Sequence, residues 1–390
     1  MTDKTLFIHA GGSKAGSTAL QEFFYTNASK LEGLDFAYEM FDVNNGLRLY
    51  GMLSSAAATD SELDSLVLSY FGRCNNAICS SEYFQLTEAL GWKRLRESAE
   101  RLGLKLKVIF YVRNVIPFLL SNYDQVIKRS GEWRSFDELA KTVPWHHAVA
   151  LRIIADALPR ENVQVLHFEH EKANLIRGFL DVLGVDASFE VDQNEQKRQV
   201  NRSLANKERG VLIAVNKALG GAYSTELSRL LINENPDLPV EPALYNEATA
   251  ETLLGRFSTE VDWVNNTFFN GQPVVSVLPV QPEKEPLSEK STIQTAHSIN
   301  VERRVLGWAL EKLKTIQSEA EQRLLDILKD AALNVSEKSH PDIPDDFDSV
   351  AYLLLNPDVR HAGFNPVQHF ILHGKQERRA YKFAGMQNPV

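Results

Sequence analysis

The sequence predicts an α/β protein in which a parallel sheet is flanked by helices, followed by a long helix and a small helical C-terminal module. Two observations in the first 190 residues predict the sheet. Short, continuous apolar runs alternate with longer segments of helical periodicity, and glycine or proline residues separate several of them. Strands that are apolar on both faces are typical of parallel sheets covered by helices.

The elements follow one another in a regular alternation of strand and helix. The predicted elements are a strand at 6–8, a helix at 17–30, a strand at 77–79, a helix at 89–102, a strand at 107–112, a helix at 116–129, a strand at 163–166 and a helix at 172–183. The clearest strand is 107–112, whose sequence is KVIFYV. Residues 205–269 show helical patterns only.

Composition divides the chain into three segments. Residues 1–272 form the predicted α/β domain, and residues 273–342 combine a proline-rich linker with one long helical pattern at 301–333. The heptad spacing in that helix could pair it with a second copy of the chain, although packing on the chain's own body is favoured. Residues 343–390 form a small helical accessory module.

Length, charge and cysteine content exclude several classes of protein. A chain of 390 residues can bury a large core without disulfides, and its two cysteines provide no disulfide framework. The net charge of −9 argues against a broad nucleic-acid-binding surface. No apolar run approaches the ~18 residues needed to cross a bilayer. The apolar run at the N-terminus is too short for a signal peptide, so we expect a cytoplasmic protein.

A glycine-rich loop directly follows the first predicted strand. Residues 9–21 have the sequence HAGGSKAGSTALQ, and a helix is predicted to begin at Ser17. Glycines let the backbone turn tightly, and the free N–H groups of a helix N-terminus attract an anion. Lys14 adds a positive charge, and Ser17 and Thr18 add hydroxyl donors. The loop therefore predicts a phosphate site, against the alternative of a glycine-rich turn with a solvated lysine.

The position of the lysine distinguishes this loop from that of nucleoside triphosphatases. Those loops have lysine directly after the last glycine of a GxxxxG spacing. Gly11 and Gly16 have that spacing, but Ser17 replaces the lysine and Lys14 comes earlier, which disfavours a P-loop kinase. The sequence instead resembles the bacterial and polysaccharide-type sulfotransferases, which use 3′-phosphoadenosine 5′-phosphosulfate. The matching residues are His9, Gly11, Lys14, Gly16, Ser17, Thr18, Leu20 and Gln21.

A second pair of residues supports the same resemblance. Arg113 follows the strand at 107–112, and Ser121 lies eight residues further on, in the next predicted helix. Arginine offers a planar fork to phosphate oxygens, and α/β sheets bind ligands at the carboxyl ends of their strands. The resemblance implies that Arg113 and Ser121 bind the 3′-phosphate of the donor, and that Ser121 can also hold Lys14. A basic stretch, residues 93–113, ends at this arginine.

The resemblance also implies a catalytic base and a set of donor contacts. Glu82 follows the strand at 77–79 and is the predicted base, with His146 and Asp124 as open alternatives. An N-cap role for Ser81 and Glu82 competes with that assignment. The catalytic residues that the resemblance implies are Lys14, Glu82 and Ser121. The residues that it implies as contacts of the sulfuryl donor are Gly12, Ser13, Lys14, Ala15, Gly16, Ser17, Thr18, Arg113, Ser121 and Arg202.

The C-terminal residues resemble a short module found in bacterial glycan-processing and secreted proteins. Its marks are FDSVAYLLLNPDV at 347–359, GFNPVQHF at 363–370 and a GKQERR run at 374–379. We interpret it as an accessory that binds a glycan or an assembly partner. His369 and His373 are four residues apart and could bind a metal, but no third ligand is evident and core packing is favoured.

The resemblance implies a sulfotransferase that needs no metal. It would transfer a sulfuryl group to a hydroxyl of a saccharide or glycolipid, with an amine as the second choice, and could act beside membrane-associated glycan assembly machinery. Two alternatives stay open. One is a catalytically silent protein that binds nucleotide or glycan on the same fold, and the other is a P-loop kinase.

Overall fold

The computed structural model describes residues 4–39, 42–189, 191, 203–234, 242–278, 342–344, 346–382 and scattered positions between 307 and 323. By internal contacts the chain divides into two compact units, Met1–Val301 and Glu302–Val390. The predicted helix 301–333 lies largely outside the described residues. Among the described residues, no helix combines the length and apolarity needed to cross a membrane.

A parallel sheet forms the centre of the first unit. Its five strands are β1 Thr5–His9, β2 Phe36–Ala37, β3 Asn76–Ser80, β4 Lys105–Val112 and β5 Val163–His167, in the order β2-β3-β1-β4-β5. Every described pair of neighbouring strands is parallel. The four predicted strands are present and the predicted fold class is confirmed. The two-residue β2 was not predicted because it is too short to carry a pattern.

Helices connect and flank these strands. In chain order they are α1 Ser17–Thr26, α2 Ala28–Glu32, α3 Leu47–Ser54, α4 Asp60–Ser69, α5 Ala89–Arg101, α6 Val115–Ser130, α7 Phe136–Leu139, α8 His146–Ala157, α9 Phe168–Glu171, α10 Leu175–Leu183, α11 Asn206–Leu219, α12 Ser224–Glu234 and α13 Glu247–Phe268. Short 3₁₀ helices span Glu82–Leu86 and Arg160–Asn162.

The predicted helix at 17–30 is two helices. It breaks at Asn27, whose backbone N–H and side-chain amide both donate to the carbonyl oxygen of Phe23, at 3.0 and 3.1 Å. Asparagine competes with the helix backbone in this way, so it favours helix ends. The predicted helix at 172–183 likewise starts later, at Leu175, and ends as expected at Gly184, which has φ +79°.

The core packs α1 and α10 against the sheet. Phe7 of β1, Phe24 of α1 and Phe179 of α10 belong to one buried cluster, and the rings of Phe24 and Phe179 lie 5.0 Å apart. Burying a phenylalanine side chain contributes about 1.5–3 kcal/mol. This packing fixes α1 relative to β1 and therefore fixes the loop between them.

Residues after 272 still belong to the body of the first unit. The carbonyl oxygens of Ser276 and Val277 accept hydrogen bonds from the first two N–H groups of α6, Val115 and Ile116, at 3.0 and 3.1 Å. Val275 is buried. The segment thus satisfies two donors that a helix start leaves without partners.

The second unit has a small core of its own. Its described helices are α14 Ser349–Leu355, α15 Pro357–His361 and α16 Pro366–His369, followed by a π turn at Phe370–Gly374. Six buried residues form the cluster, namely Phe347, Tyr352, Leu353, Val359, Val367 and Phe370. The Nδ1 atom of His369 lies 2.9 Å from the Tyr352 hydroxyl. No group of three potential metal-binding residues occurs among the described residues.

Candidate active site

The predicted site residues meet at the carboxyl edge of the sheet. Because β3, β1 and β4 are adjacent, the segments that follow them lie side by side. These segments carry Glu82, the glycine-rich loop and Arg113, respectively. In open parallel sheets, ligands bind at this edge where the strand order reverses.

The loop from β1 to α1 has an unusual backbone. Gly11, Lys14 and Gly16 have φ of +96°, +61° and +82°. A Cβ atom on Gly16 would lie 2.3 Å from Cδ2 of Leu175, so only glycine fits where α10 approaches the loop. Lys14 is not a glycine, and such a left-handed conformation at other residues is uncommon outside turns and functional sites.

Five consecutive backbone N–H groups of this loop, from Lys14 to Thr18, have no hydrogen-bond partner among the described residues. The two N–H groups before them are already used. Gly12 donates to the carbonyl oxygen of Tyr111 at 3.0 Å, and Ser13 donates to Oε1 of Gln85 at 3.0 Å. Of the predicted donor contacts at 12–18, only the N–H groups of 14–18 are therefore available to a ligand, and we call these five groups the anion cradle. Such a run of donors at a helix N-terminus suits an oxyanion.

Two side chains orient that cradle by holding its carbonyl groups. Nε2 of His147 lies 2.9 Å from the carbonyl oxygen of Ser13, and Nη1 of Arg113 donates to the carbonyl oxygen of Lys14 at 2.8 Å. In a trans peptide the C=O and the following N–H point in opposite directions. Holding both carbonyls therefore turns the N–H groups of Lys14 and Ala15 away from these side chains.

His147 connects the segment after β4 to the glycine-rich loop. Its Nδ1 accepts from the backbone N–H of Arg113 at 3.2 Å, so Nε2 carries the proton that bonds to Ser13. Burial lowers the pKa of His147 to about 3, against a smaller opposing contribution from Ser13. A Cβ atom on Gly12 would lie 2.4 Å from Nε2. The neighbouring His146, the open alternative for the base, begins α8 and is exposed.

Lys14 is half-buried among basic residues. The Nζ atom of Lys14 donates to Oε1 of Gln125 at 3.3 Å. Gln125 lies one helical turn beyond Ser121, so the described partner of Lys14 is Gln125 and not Ser121, the partner that the resemblance implies. Burial, together with the charges of Lys128, Arg113 and Arg129, lowers the pKa of Lys14 to about 8, and the charge of Asp124 opposes this shift. An incoming anion would relieve this repulsion.

Glu82 lies beside the loop at the end of β3. Its Oε2 accepts from Nε2 of Gln21 at 3.1 Å, and its Cα would be 3.4 Å from a Cβ placed on Gly11. The helix-capping role belongs to the neighbouring Ser81, whose Oγ accepts from the N–H of Tyr83 at 3.2 Å. The Glu82 carboxylate is only half-buried, so it has access to a substrate.

Arg113 is held by three neighbours. Its Nε donates to Oε1 of Glu169 at 2.9 Å, its Nη1 donates to Lys14, and its guanidinium lies 4.8 Å from the centre of the Phe168 ring. Although burial raises the pKa of Glu169, hydrogen bonding from His167 and the charge of Arg113 outweigh it and lower the pKa to about 2. The carboxyl group of Glu169 is therefore ionised at neutral pH.

A cavity of about 600 Å³ opens beside this arginine. Arg113 and Ser121, the pair that the resemblance assigns to the 3′-phosphate, both line it. The remaining polar lining residues are Asp124 and Ser203, and the apolar ones are Ile116, Pro117, Leu120, Pro242, Ala243, Leu244 and Tyr245. A ligand with an anionic group and a flat apolar body fits a lining of this kind.

Asp124 has a structural partner. Its Oδ1 accepts from Nε of Arg209 at 2.8 Å, and the side chains of both residues are 5% exposed. Its Oδ2 accepts from the N–H of Leu204 at 3.2 Å. A carboxylate committed to a buried ion pair is poorly placed to accept a proton, so the geometry disfavours Asp124 as the base. The predicted contact Arg202 lies outside the described residues.

The basic stretch at 93–113 serves mainly the body of the protein. Arg101 pairs with Asp64 of α4 at 2.8 Å, and Arg94 donates to the carbonyl oxygens of Ser55 and Ala58. The charges around Lys14 come instead from Arg113 and from Lys128 and Arg129 of α6. The number of basic residues at 93–113 overestimates the positive charge at the site, because most of these side chains lie on α5 and only Arg113 reaches the site.

Four residues that hold the site were not identified as such from sequence, namely Asn114, Gln125, His147 and Glu169. For His147 an ordinary place at a helix start was favoured over a role as base, and the other three carried no motif. Asn114 is a buried hub whose Oδ1 accepts from the N–H of Ser276 at 2.9 Å and lies 3.1 Å from Nε2 of His167. Each of the four holds another site residue, and a single sequence contains no signal for that.

Comparison with known proteins identifies no family. No family model matches the chain, and no curated protein matches it. Among solved structures, a sulfotransferase from Alicyclobacillus acidocaldarius is similar at 17% sequence identity with a TM-score of 0.35, over 60% of this chain and 97% of that chain. The α/β fold class stands on the strand order and parallel pairing described above.

Proposed function

We propose that this protein is a sulfotransferase that uses 3′-phosphoadenosine 5′-phosphosulfate. The observation that carries the proposal is the run of five N–H groups, Lys14 to Thr18, that have no partner within the described part of the chain, beside a cavity lined by Arg113 and Ser121. The donor has an anionic phosphosulfate at one end and a 3′-phosphate on its ribose. Two separate anion sites on neighbouring strand ends suit such a ligand.

The proposed reaction is an in-line displacement at sulfur. An acceptor oxygen attacks the sulfur atom, the bond between sulfur and the 5′-phosphate oxygen breaks, and adenosine 3′,5′-bisphosphate leaves. Lys14 and the N–H groups of 14–18 stabilise the charge that grows on the leaving phosphate. Glu82 takes the proton of the attacking hydroxyl. Arg113 and Ser121 bind the 3′-phosphate, and Arg202 remains a proposed contact.

The proposed acceptor is a hydroxyl of a saccharide or glycolipid, with an amine as the second choice. The resemblance of residues 343–390 to a module of glycan-processing proteins supports this class. On the same ground we propose that the module binds a glycan or a partner in glycan assembly. Pairing of two copies through helix 301–333 remains a proposal as well.

Calorimetry tests the donor site. Wild-type protein should bind adenosine 3′,5′-bisphosphate, and Lys14→Ala and Arg113→Ala should each weaken binding about tenfold or more, because each removes a charge-assisted contact. The matched control is Lys30→Ala, at an exposed lysine of α2, which should leave the affinity unchanged. Absence of binding by the wild type would refute the proposal.

Transfer assays test the chemistry. Donor labelled in the sulfuryl group and incubated with host-cell extract should yield labelled saccharide or lipid. Glu82→Gln should slow transfer about 100-fold or more while leaving bisphosphate binding intact, since a general base acts on the reaction and not on donor affinity. Binding without transfer to any acceptor would instead indicate a silent nucleotide-binding protein, and dependence on ATP and magnesium would indicate a kinase.

A further inference from the structure

Glu169 directly follows β5 and Phe168, and both of its carboxylate oxygens are used. Oε1 accepts from Nε of Arg113 at 2.9 Å. Oε2 accepts from the backbone N–H of Asn114 at 3.1 Å and lies 3.2 Å from Nε2 of His167. The carboxylate is therefore held by the two residues that follow β4 and by the last residue of β5, and its own side chain is 17% exposed.

The neighbours of Arg113 fix the plane of its guanidinium. Nε is bound by Glu169, Nη1 is bound by the carbonyl of Lys14, and the ring of Phe168 lies against it. The two N–H groups of Nη2 have no partner among the described residues, and Arg113 lines the cavity. An arginine with this restraint has donors available before a ligand arrives.

We propose that Glu169 is a positioning residue that holds Arg113 ready for the 3′-phosphate of the donor; this inference rests on the proposed function. A side chain fixed in its binding geometry loses less conformational entropy when the ligand binds. The carboxylate also opposes binding, because it partly neutralises the arginine. Positioning and charge neutralisation thus predict opposite signs for removal of Glu169, which makes the inference testable.

The experiment compares two nucleotides that differ by one phosphate. Calorimetry measures the affinity of the full chain for adenosine 3′,5′-bisphosphate and for adenosine 5′-monophosphate, in wild type, Glu169→Ala and Glu169→Gln. The control is Glu161→Gln, an exposed carboxylate in the turn before β5. Thermal unfolding establishes that each variant is folded.

We expect Glu169→Ala to weaken bisphosphate binding about 10- to 100-fold and to leave monophosphate binding unchanged. Glu169→Gln should lose less affinity for the bisphosphate than Glu169→Ala, because the amide oxygen of glutamine can still accept from Nε of Arg113. Some affinity should still be lost, because the NH₂ group of glutamine would face the N–H of Asn114. If Glu169→Ala does not fold, Glu169→Gln tests the inference by itself. A smaller loss of affinity that affects the bisphosphate and not the monophosphate would support it.

Three outcomes would overturn the inference. Tighter bisphosphate binding in the variants would show that Glu169 competes with the phosphate, and unchanged binding would show that Glu169 does not position Arg113. Equal losses for both nucleotides would show a general structural role. Equal affinity of the wild type for both nucleotides would show that Arg113 does not bind a 3′-phosphate. If the wild type binds neither nucleotide, the proposed function fails and the inference fails with it.

Discussion

Individual side chains hold the glycine-rich loop of this site in place. His147 and Arg113 hold the carbonyls of Ser13 and Lys14, and Gln125 holds the amine of Lys14. Lys14 itself is a cation kept close to other cations. Its neutralisation should therefore occur at a lower pH than for an exposed lysine, which has a pKa near 10.4.

Nucleotide binding should depend on the protonation of Lys14. Burial, together with the charges of Lys128 and Arg113, lowers its pKa to about 8, so the amine loses its proton as the pH rises through that value. Because an anion binds the protonated form, affinity for adenosine 3′,5′-bisphosphate should fall roughly tenfold between pH 7 and pH 9. Calorimetry across this range measures it.

The matched variant for this prediction is Lys14→Arg. Arginine stays charged throughout the range, so whatever affinity it retains should be nearly independent of pH. A wild-type affinity that does not change between pH 7 and pH 9 would contradict the lowered pKa.

At the level of elements, the packing of α8 and α10 against the loop determines the shape of the anion cradle. Leu175 of α10 contacts the loop at Gly16, and His147 of α8 contacts it at Gly12. These glycines are required because helices approach the loop backbone closely. The sequence indicated a glycine-rich turn between β1 and α1, but it could not identify the helices that come near these glycines.

A methyl group at Gly12 should separate α8 from the loop. Gly12→Ala would place Cβ 2.4 Å from Nε2 of His147, and we expect a loss of about 1–3 kcal/mol in the free energy of unfolding. Nucleotide affinity should fall as well, since the bond from His147 to Ser13 orients the cradle. Urea unfolding and calorimetry measure the two effects.

Gly51→Ala provides the control for that substitution. Gly51 lies within α3 and a Cβ there meets no atom within 4 Å. Alanine favours a helix over glycine by up to about 1 kcal/mol, so this variant should be as stable as the wild type or more so. A Gly12→Ala variant with wild-type stability and affinity would show that His147 does not constrain the loop.

At the scale of the whole molecule, the chain consists of two compact units, Met1–Val301 and Glu302–Val390. The described site residues all belong to the first unit. The second has a separate aromatic core around Phe347, Tyr352 and Phe370. A domain with its own core can fold without its neighbour.

A chain ending at residue 301 should therefore fold and retain the nucleotide site. We expect its affinity for adenosine 3′,5′-bisphosphate to remain within about threefold of the full-length value, because the described residues that line the site belong to the first unit. Calorimetry on both proteins tests this. A loss of binding in a truncated protein that gives a cooperative thermal transition would place part of the site beyond residue 301.

The sequence by itself determined the sheet and the edge at which the candidate site residues lie. Continuous apolar runs such as 107–112 indicate buried parallel strands, and the glycine loop, Glu82 and Arg113 each begin within three residues of the end of a predicted strand. Since parallel strands align their carboxyl ends, this order along the chain is sufficient to bring those residues together. Local patterns and connectivity carry that information.

Only the tertiary structure decided which groups are available and which are used. The N–H groups of Gly12 and Ser13 are bonded to Tyr111 and Gln85, Asp124 is paired with Arg209, and Arg113 is held by Glu169. The partners in these four contacts are 56 to 99 residues apart in sequence, so no local pattern reveals them. They depend on how the helices pack onto the sheet, which brings distant polar groups within hydrogen-bond distance.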